Sequence, residues 1–315
     1  MSPVRRLDSL RHDAAAAAKA HSGVVSRTAL AELGIDARMV AREVAAGRWR
    51  THGRQTVAMH TGELDDVAKR WRAVWEVGTR VAAVDGVSAL QAAGMTGFEE
   101  PTVHVSVVHR IALRSHTDLR VHKIIRRVPQ EVTEAGLPRV KPAYAAVRAA
   151  QWACSDRQAA LLLVMPVQQR LVTGAQLRSA ATSIPGRARR GLVRTLVRDI
   201  ADGAQSLGEL DFAALCRQRG LPEPSRQVVR EGPDGRIYLD VRWDNGLVVE
   251  IDGTAHQSGL SVSDDHLRAN LVTMDGDIVL RMDLVGLRLR QEEFMDQVAL
   301  AYLTRSTHHR AGAAR

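Results

Sequence analysis

The residues best arranged for chemistry are three carboxylates between Arg236 and Gly253. Ile237, Leu239, Val241 and Trp243 alternate with Tyr238, Asp240 and Arg242. Asp244-Asn245-Gly246 reverses the chain, and Leu247, Val249 and Ile251 then alternate with Val248, Glu250 and Asp252. Alternation with period two around a turn sequence predicts a β-hairpin. A two-residue Asn-Gly loop would pair Val241 with Glu250 and mix apolar with acidic side chains on one face. A three-residue loop, with Gly246 left-handed, pairs Asp240 with Glu250 and gathers the apolar side chains on the opposite face. Burial favours the second register, which also sets Asp252 on the acidic face. Opposed residues have Cβ atoms about 4.5–5.5 Å apart, and like charges there destabilise a sheet. A divalent cation offsets the repulsion: Mg2+ (or Mn2+) takes one or two carboxylates and completes its shell with water and substrate phosphate. The other reading is an acidic strand pair tolerated on a solvent-facing surface.

The flanking sequence supplies elements to hold that hairpin. Ser206-Leu-Gly-Glu209 has the form of a capping box opening a helix that ends at Gly220-Leu-Pro. After the hairpin come His256, a helix from Asp264 to Met274 capped by Ser263, an apolar strand Ile278 to Arg281, and a final helix over about 291–304. Asp265 and Arg268 share one face of the first of these helices. Helix, hairpin, helix, strand, helix is the core order of the PD-(D/E)XK nucleases. The segments Gly220-Leu-Pro-Glu-Pro-Ser-Arg-Gln227, Asp240, Glu250-Ile-Asp-Gly253, His256, Asp265, Arg268 and Val279-Leu-Arg281 resemble an actinobacterial domain related to the very-short-patch-repair (Vsr-like) endonucleases, over about residues 205–300.

That resemblance implies a metal-dependent endonuclease with Asp240 and Glu250 as metal ligands. Glu209 is either an additional acidic ligand or only a helix cap. The superfamily's lysine two residues after the glutamate is replaced by Asp252, which cannot supply positive charge to a developing anion. His256 or Arg268 would take over part of that task. His256 could act as general base or phosphate ligand; it is equally readable as a surface turn residue. A nuclease fold retained only for binding also fits.

The first sixty residues point to a different activity. An alanine-rich helix over 8–21 precedes Ser26, placed to cap a short helix Arg27 to Leu33 closed by Gly34. Asp36 then caps a helix over 37–46, closed by Gly47. Two short helices joined by a glycine-containing turn form the helix-turn-helix pattern, and Arg48 to Met59 reads as a β wing. Arg38 and Arg42, four residues apart and on one helical face, would reach bases or phosphates in the major groove, flanked by Arg48, Arg50 and Arg54. The alternative is a fold used for protein contacts alone. Gly23-Val-Val-Ser-Arg-Thr-Ala-Leu, Leu33-Gly-Ile and Ala46-Gly-Arg-Trp-Arg resemble the N-terminal winged helix of the AbiEi antitoxins over residues 14–60. The wing departs from that family, with Gln55-Thr56-Val57-Ala58 where members usually read glycine, valine, tyrosine, alanine. The resemblance implies DNA binding, often at the protein's own promoter, and a cognate toxin or other protein partner.

Charge supports a polyanionic partner. The 315 residues carry a net charge of +9, unevenly shared: +5 over residues 1–60, +8 over 61–205 and −4 over 206–315. Within the middle segment, Arg187, Arg189, Arg190, Arg194 and Arg198 crowd one helix after Pro185-Gly186, as a solvated or a phosphate-contacting face. The rest of that segment predicts a helix over 63–77, a strand Thr102 to Val107, and helices over 142–153 and 156–171. A third reading makes it an interaction module for a toxin.

The expected architecture is α+β and multidomain: a winged helix-turn-helix over 1–61, an AbiEi-like middle α/β domain over 62–204 and a restriction-endonuclease-like domain over 205–315. Cys154 and Cys216 have neither disulfide-framework nor zinc-site spacing, which suits a reducing cytoplasm. The start lacks a signal peptide's bulky apolar core, and no apolar run is long enough to span a bilayer. A cytoplasmic protein with no membrane association is expected.

Overall fold

A computed structural model describes residues 3–108, 119–186, 188–202, 212–231, 237–252, 270 and 279–313. The protein is mixed α and β, and its described residues form two compact units, Met1–Ala145 and Ala146–Arg315. The expected boundaries near 61 and 204 each fall inside one of these units.

In the first unit, α1 (Pro3–Lys19) leads into β1 (Val24–Ser26), α2 (Arg27–Glu32) and α3 (Ala37–Ala45). The capping expected from sequence is present. Ser26 Oγ accepts from Ala29 N at 3.1 Å and Asp36 Oδ1 from Met39 N at 2.8 Å, each satisfying a backbone donor that the first helical turn leaves unpaired. Gly34 and Gly47 end the two helices with φ of 79° and 67°. A ribbon, β2 (Arg50–Thr51) and β3 (Thr56–Ala58), completes the sheet β1-β3-β2. Ala14, Leu30, Ile35, Val40, Trp49 and Val57 form the core beneath it.

The helix α4 (Asp66–Val77) belongs to this same body. Its Ala68 and Trp75 are buried with Val24 and Ala58. Glu76 accepts hydrogen bonds from Arg54 N, Gln55 N and Thr56 Oγ1, each at 2.8 Å, and so clamps the β2–β3 turn. Gly53 makes room for this clamp. Its φ is 130°, and a Cβ there would lie 2.5 Å from the Glu76 carboxyl. Gly53→Ala is therefore expected to cost about 2 kcal/mol, from backbone strain plus the displaced carboxylate. A double-mutant cycle with Glu76→Ala, read by thermal denaturation, should show strong non-additivity, because both changes remove one clamp. Further along, β4 (Ala83–Val84), α5 (Gly86–Ala92), β5 (Val103–Val108) and β6 (Leu119–Ile124) build the sheet β4-β5-β6.

The second unit takes in most of α6 (Pro142–Trp152), then α7 (Asp156–Gln168), α8 (Gly174–Ser183), α9 (Arg190–Ala201) and α10 (Phe212–Gln218). A four-stranded sheet follows, formed by β7 (Arg226–Glu231), β8 (Ile237–Arg242), β9 (Val248–Asp252) and β10 (Val279–Asp283), and then α11 (Leu284–Leu289) and α12 (Gln291–Ala313). The sheet order is β10-β9-β8-β7, antiparallel from β7 to β9 and parallel between β9 and β10. Val241, Val249, Ile251, Leu280 and Met282 pack one sheet face against Phe212, Leu287, Phe294 and Val298 of the helices. The edge strand β7 was not expected: Arg-Gln-Val-Val-Arg-Glu places its two apolar residues side by side, without alternation. Among the described residues, no helix is long and apolar enough to cross a membrane.

Candidate functional site

The hairpin adopts the three-residue loop. Trp243 N donates to Leu247 O at 3.1 Å, Gly246 N to Trp243 O at 3.0 Å, and Gly246 has φ of 86°. Asp240 consequently pairs with Glu250 across β8 and β9, while Tyr238 pairs with Asp252. The parallel strand β10 continues both rows, Arg281 beside Glu250 and Asp283 beside Asp252. Paired residues project to the same side, so Asp240, Glu250, Asp252 and Asp283 share one sheet face with Arg281. The apolar residues between them occupy the buried face.

The four carboxylates have different surroundings. Asp240 and Glu250 are half-buried, and Asp252 is buried. Asp283 Oδ1 accepts from Gly286 N at 2.6 Å and caps α11, so this carboxylate starts a helix. Arg281 Nε lies 3.3 Å from Glu250 Oε2, and its side chain is 68% exposed. A guanidinium thus stands beside the glutamate in a chain that lacks a lysine at 252. The sequence reading named Arg281 within a motif but gave it no role, because a parallel pairing 31 residues away leaves no local pattern.

Glu209, His256 and Arg268 lie outside the described residues. Among the described residues, no group of three or more His, Cys, Asp and Glu side chains is arranged to hold a metal ion. Two opposed carboxylates nevertheless suit Mg2+ when water and a phosphate supply the remaining oxygens. No family model and no curated protein matches the chain.

The five arginines expected at a DNA groove have separate placements. Arg38 and Arg42 lie on the exposed side of α3, opposite buried Met39, Val40 and Glu43. Arg48 is exposed, with its side chain 47% accessible, and its Nε donates to Glu43 Oε2 at 2.5 Å. Arg50 pairs with Glu63 at 3.2 Å. Arg54 holds the turn through its backbone N–H, and its side chain is exposed. Among the described residues, Arg38 and Arg54 have no ion pair, and Arg42 stands 3.7 Å from Glu43.

Sequence reasoning missed Glu43, which is fully buried and receives Arg11 through bonds of 2.9 and 3.1 Å as well as Arg48. The Arg48 and Arg11 guanidiniums hold its carboxyl down at about 2, against the opposing effect of burial. The pair links α1, α3 and the entry to β2, and so fixes the pose of the helix that presents Arg38 and Arg42.

A second buried network was also missed. Asp85 Oδ2 accepts from Ser106 Oγ at 2.5 Å, and Arg127 donates to Ser106 Oγ at 2.7 Å and to Glu131 at 3.2 Å. Nearby, His104 Nδ1 and His122 Nε2 lie 3.3 Å apart. Burial, then the neighbouring His104, pushes the His122 imidazole down to about 3, so it is neutral at pH 7. These groups tie β4, β5, β6 and residues 127–131 together.

Proposed function

We propose that the protein binds DNA through the α3 face and hydrolyses phosphodiester bonds at the Asp240–Glu250 pair in a divalent-metal-dependent reaction. One observation carries the reading: two carboxylates stand directly opposite each other in the middle of a sheet whose other face is the core. Packing alone requires no acidic pair there, and opposed like charges call for nearby positive charge, which a shared divalent cation would supply alongside Arg281. The strand order, with three antiparallel strands and a fourth parallel to the Glu250 strand, is compatible with the PD-(D/E)XK-like fold that the motifs resemble. The capped helices and the β2–β3 ribbon are likewise compatible with a winged helix of AbiEi type.

In this reading Asp240 and Glu250 are the protein's metal ligands. When bound, Mg2+ or Mn2+ would polarise a phosphoryl oxygen and lower the pKa of a coordinated water. Asp252, two residues along the same face, or His256 would orient the attacking water in line, and His256 would be the candidate proton acceptor. Arg281 contributes the positive charge that the absent lysine would have given, exchanging its bond to Glu250 for one to the phosphate.

A second reading draws on the same Arg281. If that guanidinium stays on Glu250 as its permanent counter-ion, the sheet needs no metal, and the protein is a DNA-binding regulator or antitoxin with a degenerate nuclease fold. The two readings share the α3 face. For either, Arg38→Ala combined with Arg42→Ala is expected to weaken duplex binding about 100-fold, at 1–3 kcal/mol per lost contact. Fluorescence anisotropy with promoter DNA checks this. Strand scission in Mg2+ that Asp240→Asn abolishes separates the nuclease from the regulator.

A further inference from the structure

The helix α9 carries Arg190, Arg194 and Arg198 at successive four-residue intervals, so their side chains form one row. Its other side buries Val193, Leu196 and Ile200, together with Asp199, whose Oδ2 lies 3.3 Å from Arg288 Nε on α11. The arginine row is therefore the outward side of a helix anchored to the element that follows β10. The helix α8 packs closely along it. Gly174 has no side chain, and a Cβ there would stand 2.8 Å from Ala201 Cα.

Between α8 and α9 runs a groove of about 470 Å³, lined by Arg178, Arg190, Arg194, Arg198, Thr182 and Asp202 among others. All four arginines are exposed. Among the described lining residues Asp202 is the one carboxylate, and it is bonded by Arg178. Arg190 and Arg194 have no acidic partner among the described residues. Like charges four apart on a helix face destabilise it, and the exposed Arg190 and Arg194 take no part in packing α9. Guanidinium forks match phosphate oxygens. Successive arginines are displaced by about 6 Å along the axis, a linear array suited to consecutive phosphates along a strand rather than to one compact ligand.

We propose that the α8–α9 groove binds the sugar-phosphate backbone of a nucleic acid. This deepens the proposed function, on which it rests, by placing a phosphate-tracking surface on the same unit as the carboxylate pair.

The test uses the full chain in EDTA, so that no scission occurs, with a short fluorescent duplex titrated at several salt concentrations. Four proteins are compared: wild type, Arg190→Gln/Arg194→Gln, Arg190→Lys/Arg194→Lys, and Arg38→Ala/Arg42→Ala. Each neutralised phosphate contributes about 0.9 to the slope of log affinity against log salt, so the Gln pair should lower it by about 1.8. Raising salt from about 50 to about 200 mM then costs wild type roughly tenfold more affinity than the Gln variant. The Lys pair should keep the wild-type slope. An unchanged slope in the Gln pair, with an unaltered circular dichroism spectrum, overturns the proposal. If that slope is unchanged while Arg38→Ala/Arg42→Ala loses binding, the groove fails and the α3 reading stands; the reverse pattern retains the groove and removes α3. Calorimetry with inorganic tripolyphosphate distinguishes the source of phosphate. Binding of tripolyphosphate that depends on Arg190 and Arg194, without any effect of these residues on duplex binding, assigns the groove to a free polyphosphate and overturns the nucleic-acid proposal.

Discussion

Asp240→Asn is expected to lower the rate of metal-dependent phosphodiester cleavage by about three orders of magnitude while leaving the fold intact. The size follows from what the carboxylate does in the proposed site. Losing one of two protein ligands removes several kcal/mol of charge stabilisation in the transition state, and each 1.36 kcal/mol is a factor of ten. The fold should tolerate the change, because Asp240 stands opposite Glu250 on the acidic side of β8 while the core is on the other side. Single-turnover cleavage of a labelled duplex and thermal denaturation measure the two effects separately. A variant that is inactive because it is unfolded would show a lowered midpoint in EDTA.

The second large effect concerns Glu43. At pH 7 its replacement by Gln, which resembles the protonated carboxyl, is expected to cost about 3 kcal/mol. Its folded pKa is about 2 against an ordinary 4.5, and each unit is worth 1.36 kcal/mol. The pH window follows from the same shift. A carboxyl with a depressed folded pKa contributes its full stability above about 4.5 and loses it progressively as pH falls towards 2. Wild type and Glu43→Gln should therefore converge in acid, separate as pH rises from about 2 to about 4.5, and keep a constant difference above that. Chemical denaturation across that range checks the prediction, and equal stabilities at pH 7 would contradict it. Because Glu43 positions α3, the variant should also weaken duplex binding without removing any residue from the exposed arginine face.

The parts of the fold that are local in sequence were legible in it. Ser26 and Asp36 announced their helices because a short polar side chain followed by an apolar periodic run has few other uses, and both caps are present. The Asp240–Glu250 register could be chosen between two loops because only one puts the apolar side chains together, and that register is the one formed. Charge placement was less legible. Arg48 was expected to flank the groove from the wing, and its guanidinium is bonded to Glu43. The signal was present: Glu43 lies three and four residues after Val40 and Met39, on the stripe that α3 buries, where a carboxylate must find cations. No such local signal marks Arg281 or the Asp85, Ser106, Arg127 and Glu131 network. Those contacts depend on which distant strands become neighbours, and spacing along the chain does not encode that.

The central claim is that the opposed carboxylates serve a metal-dependent nuclease. Nicking and linearisation of supercoiled plasmid by wild type and Glu250→Ala, in Mg2+, in Mn2+ and in EDTA at low salt, tests it most directly. Cutting by wild type alone, and only with a divalent ion present, is the expected result. If neither protein cuts while both retard the plasmid, the nuclease claim is wrong and the DNA-binding regulator reading stands.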